Sequence, residues 1–94
     1  MHLVNLKDNT QQVGFKEAVK TGLGRQQGLF FVEEIKPLDN IDALLAMSLP
    51  DRSKVILQHL IGDEFSPEEL GQLIDNAFTF PAPVTKVDDN MYSL

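Results

Sequence analysis

Apolar residues recur at helical spacing in four stretches of this chain and at strand spacing in several short ones. Phe15, Ala18, Val19, Gly22 and Leu23 stand at i, i+3, i+4, i+7 and i+8 with Lys16, Glu17, Lys20 and Thr21 between them. This predicts an amphipathic helix from Phe15 that stops near Gly24. Polar Arg25, Gln26 and Gln27 then lead to Gly28, expected to turn the chain through a positive φ. Leu29 to Val32 follows as a β-prone run too short for a helix, expected to be a buried strand. Ile41, Leu44, Leu45 and Leu49 define a second helix, capped by Asp39 or Asn40 and ended by Pro50. A third helix is expected from about Asp51 to Ile61, with Gly62 as its stop. Val55, Ile56, Leu57, Leu60 and Ile61 give it an apolar face wide enough to require burial on more than one side.

The sharpest boundary is Ser66-Pro67-Glu68-Glu69. Ser66 can accept from the Glu69 amide, Glu69 can reach back to the Ser66 amide, and Pro67 suits the first helical position. The fourth helix carries Leu70, Leu73, Ile74, Ala77 and Phe78 on one stripe and ends before Phe80-Pro81-Ala82-Pro83, an extended run. At the start, His2 to Leu6 reads as a strand, with Leu3 and Asn5 on one side and Val4 and Leu6 on the more apolar other. Lys7 to Gly14 reads as a loop, with Val13 placed to staple the first helix and Gly14 as a weak N-cap. Val84 to Val87 is a short strand, Asp88 to Asn90 a turn, and Met91 to Leu94 a further extended segment. That β-prone ending leads us to expect a chain cut between modules. The fold class is α+β: one small, mainly helical domain over residues 1–94, about four helices with a few short strands.

Composition narrows the function classes. Ninety-four residues supply one core, which at this size hides about 60–65% of the unfolded chain's surface. The formal net charge is −6, from 8 Lys and Arg against 14 Asp and Glu. No basic stripe exists to neutralise phosphates, which argues against nucleic acid and against an anionic membrane surface. With no cysteine there is neither a disulfide framework nor a thiolate metal site. No apolar run approaches the roughly 18 residues of a membrane span, and MHLVNLKDNT lacks the features of a signal peptide. The expectation is a cytoplasmic protein.

No constellation of catalytic type assembles from the residues alone. Gly22, Gly24 and Gly28 are spaced G-x-G-x-x-x-G, one residue longer than the dinucleotide fingerprint, and they follow a helix where the fingerprint follows a strand. A helix cap and structural turn account for them better than a phosphate cradle. His2 and His59 have no partner at metal-ligand spacing. Asp39 with Asp42, and Asp88, Asp89 with Asn90, lack the calcium-loop pattern, so no metal is expected. Ser53 and Ser66 lie near helix starts, where serine caps more often than it attacks.

Four stretches in order, VNLKD, FKEAVKTGLGRQQGLFF, RSKVILQHLIGDE and NAFTFPAPV, resemble the N-terminal domain of threonine synthases of the enteric bacterial type, over nearly the whole chain. Gly14 stands where that family usually has serine, and Val32 where it usually has proline. The resemblance implies the N-terminal domain of a fold-type II pyridoxal-phosphate enzyme that converts O-phosphohomoserine and water to threonine and phosphate. It also implies that the cofactor lysine lies in a Phe-Lys-Asp stretch beyond Leu94. The six lysines here, Lys7, Lys16, Lys20, Lys36, Lys54 and Lys86, are outside any such stretch. The fragment alone is therefore expected to be inactive, to bind no cofactor, and to pack on the catalytic domains of the same enzyme, with residues 80–94 leading into them. Detached, it would tend to self-associate. Lys7 and Arg25 are the candidates for the substrate side, since cations suit a phosphorylated ligand. The rival reading is a free-standing helical interaction module that binds through the third helix or through Phe78, Phe80 and the proline run.

Overall fold

A computed structural model describes residues 1–94. Its first half is built on a three-stranded antiparallel sheet of order β2-β1-β3, with β1 (Leu3–Asn5) between β2 (Asp8–Val13) and β3 (Phe30–Val32). The central position explains why Leu3, Val4 and Asn5 are all buried, while Leu6, expected to share the apolar side with Val4, is exposed. The predicted Lys7–Gly14 loop is in fact mostly the strand β2. Asp, Asn, Thr and Gln give it no apolar alternation, and the pairing with β1 imposes its conformation. The register passes from Val4↔Gln12 to Asn5↔Asp8, so Asn9, Thr10 and Gln11 bulge out of the ladder.

Helix α1 (Phe15–Thr21) ends on Gly22, two residues before the expected stop. Gly22 has φ +74°, and its N–H donates to the Ala18 carbonyl at 2.8 Å. Val13 and Ala18 share a buried cluster with Leu3, as a hydrophobic staple requires, whereas Val19 and Leu23 stay exposed. A 3-10 turn over Arg25–Gln27 leads into β3. There Phe31 is 58% exposed, so the strand expected to be buried is an edge with one covered face.

The second half is helical. Helix α2 (Ile41–Ala46) is capped by Asn40, whose Oδ1 accepts from the Ala43 amide. Pro50 does not end that helix. It lies in the first turn of α3 (Leu49–Ile61), capped by Ser48, because proline at that position gives up a hydrogen bond the helix would not make. Arg52 of α3 reaches back to donate to the carbonyls of Leu44, Leu45 and Met47, which satisfies the end of α2. Helix α4 (Pro67–Ala77) begins with both hydrogen bonds of the Ser66–Glu69 capping box. It packs on α3 through Leu70 and Ile74 against Ile61, and Lys54 bridges the pair to Asp75 at 2.7 Å. The wide face of α3 is not covered on several sides: Ile61 is buried, Ile56, Leu57 and Leu60 are half-buried, and Val55 is exposed.

Two small clusters, Leu3-Val13-Ala18 and Ile61-Leu70-Ile74, are joined by Met1 and Phe15, which pack against both. Phe15 also meets Phe65 edge-on at 6.4 Å between ring centroids. After Phe80-Pro81-Ala82-Pro83, β4 (Thr85–Asp88) and β5 (Met91–Ser93) form a hairpin whose every residue is exposed. The radius of gyration is 16.6 Å, against about 12 Å for a compact chain of this length.

Candidate functional site

The most elaborate polar cluster is organised by Asn5, whose side chain is fully buried at 0% exposure within an otherwise apolar strand. Its Nδ2 donates to Gln11 Oε1 at 2.8 Å and to the Arg25 carbonyl at 3.0 Å, and its Oδ1 accepts from the Lys7 amide at 2.9 Å. Gln11 Oε1 also accepts from the Arg25 amide at 2.8 Å. The bulge in β2 places Gln11 beside Asn5. Both Nδ2 protons are used, so the burial of this amide leaves no donor orphaned.

The glycines take their meaning from this amide. A Cβ on Gly28 would lie 1.7 Å from Asn5 Oδ1, and one on Gly24 would lie 2.5 Å from Asn5 Nδ2. Gly28 has φ −73°, so it does not supply the expected positive-φ turn. Gln26 and Gln27 do, at φ 57° and 59°, and Gly28 is required because Asn5 fills the space a side chain would occupy. The loop closes with Gly24 N–H donating to the Gly28 carbonyl at 2.8 Å and Leu6 N–H to the Leu29 carbonyl at 3.0 Å. Its interior is occupied by an amide and is not shaped to cradle a phosphate.

Lys7 and Arg25, far apart in sequence, are brought together here. Lys7 Nζ donates to the Gln26 carbonyl at 3.2 Å, and Arg25 Nη1 pairs with Asp8 Oδ2 at 3.2 Å, so each cation reaches across to the other's segment. Asp8 also accepts from Thr10 Oγ1 at 2.5 Å. That hydrogen bond, followed by the one from Arg25, holds its carboxyl below the usual range. The patch of Lys7, Asp8 and Arg25 carries one net positive charge. Most donors of both cations are unused: Arg25 has a side chain 65% exposed and spends one of its five N–H groups.

The second polar feature is Glu64. Gly14 offers no side-chain cap to α1, and Glu64, brought in by the turn after α3, accepts from the Phe15 amide at 2.5 Å and the Lys16 amide at 3.0 Å. The Met1 ammonium pairs with Asp63 and lies 3.8 Å from Glu64. Burial works against ionisation of Glu64, but the Lys16 and Phe15 amides and the ammonium outweigh it and hold the carboxyl below its ordinary value.

Neither histidine gathers ligands. His2 Nε2 is bonded to Gln12 Oε1 at 2.7 Å and His59 Nε2 to the Lys36 carbonyl at 2.8 Å, on the rim of an open cleft with Glu33, Glu34 and Asp63. No three His, Asp or Glu converge as metal ligands do. Ser53 lies inside α3 and Ser66 caps α4. Sequence reasoning singled out Lys7, Arg25 and the glycines and missed Asn5, Gln11 and Glu64. The one signal for Asn5 was a lone amide in an apolar strand that precedes a glycine-rich turn.

Residues 4–78 match the family model described as threonine synthase N terminus. The threonine synthase of Haemophilus influenzae is 50% identical over 94 residues, all of this chain and 22% of that protein. The threonine synthase of Escherichia coli is 44% identical over 93 residues, 97% of this chain and 22% of that protein. The crystal structure of threonine synthase from Escherichia coli superposes with a TM-score of 0.87 at 44% identity, covering 98% of this chain and 22% of that one. The chain thus spans about a fifth of the length of the curated relatives it matches.

Proposed function

The chain belongs to the threonine synthase family, as its N-terminal domain, and we propose that it acts within a longer, cytoplasmic enzyme that converts O-phospho-L-homoserine and water to L-threonine and phosphate. The observation that carries this reading is a likeness covering all of this chain but a fifth of its relatives. In that setting the domain packs on the catalytic domains and shapes one side of the active-site entrance, with residues 80–94 leading into them.

The apolar surface supports the packing role. Eight hydrophobic residues are buried, while eighteen large ones are exposed, among them Leu29 and Phe31 by the sheet edge, Phe80 and Val84 in the extended run, and Tyr92 and Leu94 at the end. A lone two-stranded hairpin is marginal in water, and this one leaves Val87, Met91 and Tyr92 all exposed. The exposed residues are spread over β3, α2, α3, α4 and the hairpin. A free-standing module would gather them on α3 or the proline run.

Pyridoxal phosphate, which the resemblance implies, does not fit the residues of this chain. Lys54 and Lys86 are ion-paired, Lys7 is bonded to a carbonyl, Lys16 lies over the Phe65 ring, Lys20 and Lys36 stand exposed on the surface, and the glycine loop is filled by Asn5. We assign the cofactor and the phosphate-lyase chemistry it supplies to the remainder of the longer protein, and this domain alone is inactive. What this domain offers the reaction is the Lys7 and Arg25 patch, whose free N–H donors suit the substrate's phosphate. In the full-length enzyme, Lys7→Ala and Arg25→Ala should each raise the KM for O-phosphohomoserine about fivefold, as expected for loss of about 1 kcal/mol of charge-assisted binding, without changing thermal stability. Unaltered KM in both would remove these residues from the site.

A further inference from the structure

Lys7 and Arg25 each hang on a backbone segment held by the same side chain. Asn5 Oδ1 receives the Lys7 amide, Asn5 Nδ2 grips the Arg25 carbonyl, and Gln11 receives both Asn5 Nδ2 and the Arg25 amide. Glycine at 24 and 28 is what admits the Asn5 side chain. We propose that Asn5, braced by Gln11, is the positioning residue that sets Lys7 and Arg25 in register as one anion-binding pair. The ligand class is a phosphate monoester, and this rests on the reading of the patch given above.

A structural explanation of Asn5 needs only that the β1–β2 hairpin and the turn be held together, and any well-packed apolar group could do that. Asn5 instead spends both donors and an acceptor on the backbones of the two cation-bearing residues and on the side chain that holds one of them. A pair fixed at the backbone holds its two side chains at a set spacing, which removes the loop-ordering part of the cost of binding. The reciprocal contacts, Lys7 to the Gln26 carbonyl and Arg25 to Asp8, narrow the two side chains further.

The test uses the full-length enzyme and two variants. Asn5→Asp keeps the acceptor for the Lys7 amide but turns two donors into an oxygen facing two oxygens. Gln11→Ala removes the brace at a half-buried position and serves if the first variant does not fold. Each is made alone and in a Lys7→Ala/Arg25→Ala background, with KM for O-phosphohomoserine and competitive inhibition by inorganic phosphate as readouts. We expect each to raise KM and the phosphate inhibition constant three- to tenfold, with kcat within twofold, and to have no further effect once both cations are gone. An equal effect in both backgrounds would mean a merely structural role and overturn the proposal. So would unchanged KM in the Asn5 and Gln11 variants while the cation variants are impaired, which leaves the substrate-side reading intact. No effect of removing the two cations would overturn both.

Discussion

Helix α1 starts at a glycine, and its first amides are satisfied by a carboxylate some fifty residues away in sequence, so removing Glu64 should loosen α1 while leaving α4 untouched. Glu64 is a partly buried side chain, 20% exposed, accepting from Phe15 and Lys16 amides at the helix end where negative charge is favoured. Loss of a capping side chain costs about 1 kcal/mol and loss of the charge at the helix terminus about 0.5 kcal/mol more. Glu64→Ala should therefore speed amide hydrogen exchange in α1 roughly tenfold, since about 1.4 kcal/mol is a factor of ten. Gly14 allows a sharper form of the test. A Cβ there would sit 2.9 Å from Glu64 Oε1, so Gly14→Ser displaces the carboxylate as it supplies its own cap, and should change little in the parent. In the Glu64→Ala background the same serine should recover about 1 kcal/mol, a coupling that exchange of the Phe15–Thr21 segment would read directly. Because the folded pKa of Glu64 is depressed, its contribution is present above the ordinary value of 4.5 and lost as pH falls through the folded value. The difference between parent and Glu64→Gln should accordingly be full above 4.5 and close as the pH falls from there through the depressed folded value. Additive effects of the Gly14 and Glu64 changes, or exchange in α1 indifferent to Glu64, would refute the capping account.

Two further outcomes follow from the glycines and from α4. Gly28→Ala should be severely destabilising, by about 3 kcal/mol, because its methyl would fall 1.7 Å from Asn5 Oδ1 and break a satisfied buried network. Gly22→Ala, at φ +74° and ψ −72° with open space around it, should cost about 2 kcal/mol, all of it backbone strain. Chemical unfolding of the two variants should rank them in that order, and equal effects would count against the close-approach reading. Ser66→Ala should cost about 1 kcal/mol and raise exchange in the first turn of α4, while Ser66→Asp, which keeps an acceptor, should be close to neutral.

The sequence alone determined what local chemistry can specify. The Ser66–Glu69 capping box, the Asn40 cap, the stripes that put Ala18, Leu44, Ile61, Leu70 and Ile74 inward, and the Val13 staple are all readable because each depends on residues within about one or two helical turns. The order of four motifs was enough to identify the family. Tertiary structure decided whatever depends on partners distant in the chain. Strand β2 has no β pattern of its own and exists because β1 pairs with it. Pro50 fits a helix end or a helix start equally well by itself, and Arg52 on the carbonyls of α2 shows where the break falls. Gly28 looks like a turn residue in sequence, yet what requires glycine there is the Asn5 side chain, twenty-three positions upstream. In sequence the apolar face of α3 reads as one to be buried on more than one side, and residues 84–94 as two extended segments about a turn. Folded, the α3 face is covered on one side and Val55 is left exposed, while every residue of the hairpin is exposed, because hydrophobic patterning states that a face is to be covered and cannot state by what.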